Sequence, residues 1–504
     1  MAEAESDIEQ ISLSLSVERN AIAPAHAACK QRQQREVNSI RQRCVKGFGE
    51  RPEFGLHERL APFHVCVSTD FEQRVRQVHH LLNRAIIDVV MRWFDEGSTF
   101  AKRMPLEPRE ESILRWMATQ SDVQPFTSSF GMWRTDYLVE GDVRGKNQIK
   151  VCEINARIPF NGIWLIGCHG EAYENVICKE GLDSFKIASD FERTTEAVLT
   201  RFDHDRPLFH VHEKWPGVDS TGFLHSYSAH TSQPTIHVKP SELKIQACGD
   251  KHGLFYHPED GGPTQEAHQL TLELFQEEFS EFAPEVLQSI AKNCTNDLRT
   301  VFLVHDKRIL GIIRDELDTI VENGRMTQTE ADILRDGIAE TMLPGSDALR
   351  DLLERSRIDE EEKNDWIVKP VRDAACRGIL LGSDMTQQAW LVTLEEQCKR
   401  ALRPEEGACV VQRMAKHVWF DIESHLDIER QRSPKKADDR KFHLIGSHHL
   451  VSQCGDDYDM FGPWRIGRKV HAGVTGNTDG IVMGTVVRPE GLMASEEIEE
   501  DVKN

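Results

Sequence analysis

The amino-acid sequence predicts an α/β protein (α+β) in which short strands alternate with amphipathic helices. From Asp70 to Glu96, Val75, Val78, Leu82, Ile86, Val89 and Trp93 recur at steps of three and four, the period of a helix with one apolar face. Between 126 and 166 the period changes to two, with a Gly-containing turn near Arg144-Gly145, as in a strand pair. A strand–loop–strand unit follows at 366–382, where Trp366-Ile-Val-Lys369-Pro370 and Gly378-Ile-Leu-Leu-Gly382 flank a loop of small and charged residues.

Taken in order, residues 1–60 are polar and weakly patterned, and 61–205 hold the long helix, the strand pair and a charged helical stretch at 170–203. Thr69 and Glu72 read as a capping box for the long helix, with Gly97 closing the run. Segment 206–300 opens at Pro207, with strands Leu208–His212 and Thr235–Val238 and a helix at 264–291. Segment 301–490 begins with a short strand at Leu303–Arg308. Two helices follow around Gly324, the second opened by a Thr327–Glu330 box. Further on come a helix at 385–402, a strand at Ala408–Met414, a charged loop at Arg430–Lys441 and a Gly-rich stretch at 462–484. An acidic, disordered tail, 491–504, is expected to end the chain.

At 504 residues the chain has room for two to four domains, at about 100–200 residues each. Lys and Arg number 61 against 83 Asp and Glu, a formal charge of −22, so phosphate backbones and anionic membranes are poor partners. No apolar run reaches the roughly 18 residues needed to span a bilayer. The acidic N-terminus lacks the apolar core of a secretory leader, and the 12 cysteines include no CxxC pair. A reduced, cytoplasmic protein is the expectation. There is no GxxxxGK phosphate loop, no GxGxxG after a strand, no GxSxG and no HExxH. The 22 histidines, His210, His212, His448 and His449 among them, show no ligand spacing and read as structural.

The chemistry concentrates in the strand pair. Arg134 and Asp136 share one face, and so do Glu153, Asn155 and Arg157. If the turn is centred on Arg144-Gly145, Asp136 stands opposite Glu153 and Arg134 opposite Asn155. Opposed carboxylates repel, and a divalent cation with hard oxygen ligands relieves the repulsion, with the Asn155 amide oxygen as a further ligand. The alternative is a solvent-facing hairpin with ordinary charges. In the later unit, Lys369 ends a strand just before a loop whose main-chain N–H groups suit an anion, and Gly378 closes it. His305-Asp306-Lys307-Arg308 is a polar cluster between two apolar runs, read either as an exposed loop or as the source of a second phosphate-binding lysine. The backbone of Val410, Val411 and Gln412 suits an adenine edge.

These residues resemble the ATP-grasp superfamily, in the circularly permuted form of glutathionylspermidine synthase and related carboxylate–amine ligases. Lys307 and Lys369-Pro370 look like that family's two nucleotide-binding lysines. Arg134-Thr-Asp136 and Glu153-Ile-Asn155 look like its Arg-x-Asp and Glu-x-Asn motifs, here placed before the lysines. The loop Val371–Arg377 holds fewer glycines than the family norm, no amidase-like cysteine domain precedes, and no closing arginine is singled out among Arg465, Arg468 and Arg488.

The resemblance implies two β-containing subdomains clasping ATP. It implies Mg²⁺ on Asp136, Glu153 and Asn155, and Arg134 on the transferring group. The hairpin is expected in one sheet with both 408–414 and 441–452. The expected reaction is ATP-dependent activation of a small carboxylate as an acyl phosphate, then capture by an amine, with ADP released. Arg157, with Asn161 beyond it, is expected to hold a substrate carboxylate, an internal salt bridge being the alternative for Arg157. A nucleotide-binding protein without turnover, and a small-molecule kinase, remain open beside the ligase. The oligomeric state is left open.

Overall fold

The computed structural model describes residues 8–11, 64–128, 131–141, 147–157, 163–164, 167, 170, 186–188, 191–214, 216–248, 251–373, 377–399, 402–421, 441–453, 456–468, 482–483 and 485–488. Asn161 and the 491–504 tail lie outside them. The long helix spans Thr69–Met91, with Phe71, Val75, Val78, Leu82, Ile86 and Val89 buried on its apolar face. Its cap is Ser68, one residue before the expected Thr69. The Ser68 hydroxyl accepts from the Phe71 N–H at 3.1 Å, which frees Glu72 to pair with Arg76. Beyond Met91 the chain leaves the helix, and Gly97 takes a left-handed turn at φ +84°.

A six-stranded sheet forms the main platform. Gly131–Gly141 and Asn147–Asn155 form its hairpin, and Lys441–Gln453 pairs antiparallel with Gly131–Gly141 on the other side. Asp456–Arg468 follows outward. Strands about 300 residues apart in sequence are thus direct neighbours, as the permuted order requires. The expected partner Ala408–Met414 is not in this sheet. Cys409–Arg413 belongs to a second, four-stranded antiparallel sheet ordered Thr341–Met342, Cys409–Arg413, Trp366–Pro370, Leu380–Leu381. The two sheets meet edge to edge. The Ala339 N–H donates to Val151 O at 2.9 Å, and the chain leaving Arg413 returns to the hairpin through Val418 N–H and Val139 O at 3.3 Å.

Three smaller sheets complete the fold: parallel Leu270–Glu273, Leu208–His212 and Thr235–Val238; antiparallel strands at 243–266; and a set in which Ile8–Ile11 pairs with His64–Ser68. The Ile8 strand lies in a segment whose sequence showed no pattern. Three expectations are corrected. Leu303–Arg308 is helical: Thr300–Val304 forms a wide helical turn leading into Arg308–Glu322. Val301 to Val304 and Ile309 to Ile313 are buried on every side, and an apolar run without a polar face does not separate strand from helix. The 264–291 stretch is α-helical only from Pro284, in Pro284–Asn293, with a short 3-10 helix at Gln276–Glu281 before it. Leu270 and Leu272 alternate in a strand before it, and Pro284 starts the helix. The charged 170–203 stretch is helical at Phe191–Leu199 among the described residues.

Gly382 shows how tightly the second sheet is closed. A Cβ at this position would stand 2.0 Å from the Lys363 carbonyl oxygen, a main-chain atom with little freedom to move. Gly382→Ala is expected to cost about 1–3 kcal/mol, the range for overpacking a tight core. The expected outcome in a thermal melt is a midpoint lowered by several degrees. An unchanged midpoint would show that the turn after Leu380–Leu381 yields.

Candidate active site

The hairpin register is the one the sequence implies. Asp136 faces Glu153 and Arg134 faces Asn155. After Asp136 the pairing steps to Tyr137–Val151, so Cys152 is an extra residue in a β-bulge. Arg134 grips Asp136 in a two-point ion pair, Nε–Oδ1 at 2.8 Å and Nη2–Oδ2 at 3.0 Å. Asp136 is 1 % exposed. The Asn155 Nδ2 donates to Asp136 Oδ2 at 3.1 Å and to Glu153 Oε1 at 3.4 Å, so one amide nitrogen holds the two carboxylates together. Rotating that amide by half a turn places Oδ1 where the nitrogen stands. Two carboxylates and an amide oxygen on one sheet face are the hard donors that Mg²⁺ takes. Among the described residues no group of three or more His, Cys, Asp or Glu side chains is placed to hold a metal. This set includes an amide.

Lys369 is buried, not a solvated strand end. Its Nζ donates to Gln412 Oε1 at 2.7 Å and to Cys152 O at 3.5 Å. Gln412 Nε2 donates to the same carbonyl at 3.2 Å and to Thr341 Oγ1 at 2.9 Å. The bulge carbonyl of the Asp136–Glu153 hairpin therefore meets the lysine of the second sheet. Val411 and Gln412 have strand partners on both sides, Met342 with Val368 and Thr341 with Ile367. Val410 pairs with Lys369 and lies beyond the two-residue strand Thr341–Met342. Gly378 adopts φ +69°, and a Cβ there would press on the Pro370 ring at 2.8 Å.

The His305–Arg308 cluster is buried and joins the other parts. The His305 Nδ1 accepts from Ala156 N–H at 3.2 Å, one residue past Asn155. Burial, and then the cations Arg157, Lys307 and Arg372, hold its imidazole neutral, far below the usual pKa. Lys307 N–H donates to Val371 O at 3.0 Å, its Nζ donates to Asp373 O at 2.7 Å, and its Nζ stands 3.7 Å from Glu153 Oε2. Arg308 is fully buried. It pairs with Asp306 at 2.7 Å and donates to Pro105 O and Leu402 O at 3.0 Å. Arg372, in the loop after Pro370, bridges Asp306 at 3.0 Å and Glu110 at 2.6 Å. Burial alone would raise the Asp306 pKa, but Arg308 and Arg372 outweigh it and hold it at about 2. Burial dominates at Glu110 and lifts its pKa despite Arg372.

Arg157 is buried at the end of the hairpin with its guanidinium 4.2 Å over the Phe275 ring. It lines a cavity of about 630 Å³ that also touches Pro370–Asp373 and Arg377. No internal salt bridge of Arg157 is found among the described residues, so that alternative is set aside for them. Arg134, Lys307, Lys369, Asp136, Glu153 and Asn155 are thus drawn together from three stretches of chain. Asp306, Arg308, Arg372 and Glu110 were not anticipated. The dense polar run at 305–308 was the visible signal for the first two, and Glu110 carried none. Of the histidines singled out, His210 contacts Glu273 at 3.2 Å and Thr271 at 2.8 Å, His212 contacts His237 at 3.0 Å, and His448 stacks on His79 at 4.4 Å.

With this geometry in view, comparisons with known proteins bear on the fold. The AnkG N-terminal domain model matches residues 78–303. The ATP-grasp enzyme ankG of Aspergillus thermomutatus is 29% identical over 431 residues, covering 81% of this chain and 85% of that protein. A glutathione synthetase-like effector from Globodera pallida, solved in its apo form, superposes with a TM-score of 0.53 at 10% identity. That alignment covers 91% of this chain and 97% of the effector. The chain has an ATP-grasp-like fold. The resemblance to the ATP-grasp superfamily stands, and the relative supports an enzyme of the ATP-grasp type. No described helix is long and apolar enough to cross a membrane.

The Asp306 network makes a prediction about acid stability. The Asp306 carboxyl titrates at about 2 when folded and near 3.9 in an unfolded chain. Its contribution is therefore complete above about pH 4 and is lost as the pH falls through about 2. Asp306→Asn leaves Arg308 and Arg372 buried without their carboxylate. The expected loss at pH 7 is about 3–5 kcal/mol, and the variant's stability should change less with pH between 4 and 2 than that of the natural chain. Denaturation curves at both pH values check this. Equal stability at pH 7 would show that the network holds nothing.

Proposed function

We propose that the protein is an ATP-dependent ligase that activates a small carboxylate as an acyl phosphate and joins it to an amine, releasing ADP and phosphate. The observation that carries this reading is the convergence of Lys307, Lys369 and Arg134 on the Asp136–Glu153–Asn155 face. Phosphoryl transfer needs positioning and neutralisation of a dense negative charge, and it needs no protein nucleophile.

In this reading a substrate carboxylate oxygen attacks the γ-phosphorus of ATP, and the bond to the β–γ bridging oxygen breaks. An amine lone pair then attacks the acyl carbon, phosphate departs, and the nitrogen loses a proton. Lys369 leaves Gln412 to reach the phosphates, while Lys307 approaches from the Glu153 side. Gly378 and the loop after Pro370 offer main-chain N–H groups. Val410 to Gln412 mark the strand beside which adenine lies. Asp136, Glu153 and Asn155 would hold Mg²⁺, which supplies charge neutralisation on the phosphates when bound. Arg134, anchored on Asp136, presents its guanidinium beside the transferring group. The partners are small molecules, not nucleic acid or membrane, and the setting is cytoplasmic.

The direct test is a screen for ATP-dependent ADP release with amino acids and small carboxylic acids, followed by mass detection of an amide. ADP release with only a phosphorylated product would favour a kinase. Lys369→Met keeps length and removes charge, and kcat is expected to fall about 10²–10³-fold, the scale of one preorganised electrostatic contact. A variant within about threefold of the natural enzyme would overturn the phosphate role. Glu153→Ala is expected to abolish Mg²⁺-dependent turnover while changing stability by no more than about 1 kcal/mol, since the residue is partly exposed and its lysine partner is 3.7 Å away. Full Mg²⁺-dependent turnover in that variant would remove Glu153 from the ligand set.

A further inference from the structure

The cavity beside Arg157 is lined by a guanidinium with one hydrogen-bond donor left unsatisfied. Arg157 is 7 % exposed, and its Nε–H is buried without an acceptor. The other cations of the wall are engaged. Arg109 donates to the carbonyls of Ser280 and Phe282, Arg372 is held by Glu110 and Asp306, and Arg377 stands 3.6 Å from Asp373. A buried guanidinium with an unsatisfied N–H is costly, and a planar anion that takes two parallel hydrogen bonds from it relieves the cost. The Phe275 ring beneath Arg157 holds the guanidinium by its face, which leaves the donor edge for a ligand.

The rest of the wall restricts what that anion carries. Phe275, Phe279, Leu287 and Phe302 make one side apolar. A polar substituent placed there would lose its water without gaining a partner. Glu277 and Glu405 also line the cavity and are exposed, and they repel a second negative charge. At about 630 Å³ the space suits a small organic molecule.

We propose that this cavity binds a monocarboxylic acid with an aromatic or branched aliphatic body, the carboxylate on Arg157 and the body against Phe279, Leu287 and Phe302. The assignment rests on the ligase reading only in making this acid the one that is activated; the phosphate loop forms part of the same wall. Neutralisation by Arg157 lets the acid approach an anionic nucleotide, and the apolar wall selects its side chain.

The test is calorimetric titration of the full chain, without nucleotide, with 3-phenylpropanoate, 4-methylpentanoate, acetate and succinate. The first two are expected to bind at least tenfold more tightly than the others. Arg157→Met should weaken 3-phenylpropanoate at least tenfold, with Arg157→Lys between the two. Should Arg157→Met fail to fold, Ser280→Trp decides: it narrows the cavity from its exposed side and should weaken 3-phenylpropanoate more than acetate. Binding of a non-hydrolysable ATP analogue, measured separately, should be unchanged in Arg157→Met. Succinate binding as tightly as the apolar acids, no effect of either substitution, or loss of the analogue in Arg157→Met would overturn the assignment. If the acids bind as expected but support no ATP turnover, the ligase reading falls and the cavity assignment remains.

Discussion

A buried carboxylate between two arginines organises the centre of this molecule. Asp306 is fully enclosed, and burying such a charge alone would cost several kcal/mol. Arg308 and Arg372 compensate it, and each also reaches elsewhere: Arg308 to two carbonyls on different segments, Arg372 to Glu110. The result is a fixed distance between the start of the Arg308–Glu322 helix, the Pro108–Thr119 helix and the loop after Lys369. Lys307 lies between the two residues that anchor this arrangement. Its ammonium is directed to Glu153 and to the Asp373 carbonyl because its neighbours have no freedom to turn.

The second constraint is the bulge at Cys152. A regular hairpin would have engaged that carbonyl in its own ladder. The extra residue makes it available to Lys369 and Gln412 of the other sheet. The Cys152 carbonyl on one sheet and the Lys369 and Gln412 side chains on the other therefore connect the two sheets beside the Asp136–Glu153 face. Tyr137, next to the step in register, is fully buried and lies edge-on against Trp464 of the C-terminal strand pair, so the distortion is locked into the core.

Much of this was legible in the sequence, and the limits have physical causes. The opposition of Asp136 to Glu153 followed from side-chain alternation and a turn position. The pairs nearest the turn are one step off the register that a turn centred on Arg144-Gly145 implies, and the extra residue at Cys152 offsets that step, so Asp136 still meets Glu153. Tyr137 with Val151 shows the shifted register on the turn side of the bulge. Val301 to Val304 misled because a segment buried on all sides has no polar face to reveal its period. The sheet assignment of Cys409–Arg413 failed because local pattern identifies a strand but not its neighbours, and a two-residue strand such as Thr341–Met342 leaves little trace. Arg157 was singled out as a carboxylate clamp. The cavity around it is built from Phe275, Phe279 and Leu287, which belong to no motif in the sequence.

The partner of Lys369 in the structure is an amide, and that choice shapes the field at the site. A carboxylate at position 412 would have cancelled the ammonium charge and left the region near neutral. Gln412 satisfies one of the donors of the lysine and leaves its full positive charge in place. On a chain whose formal charge is −22, such a focus of positive potential is a local exception. An incoming polyanion crosses an unfavourable outer field and meets an attractive one only within a Debye length of the lysines, about 8 Å at physiological salt. Capture at such a site is therefore short-ranged: long-distance steering does not assist it, and added salt weakens the outer repulsion sooner than the inner attraction.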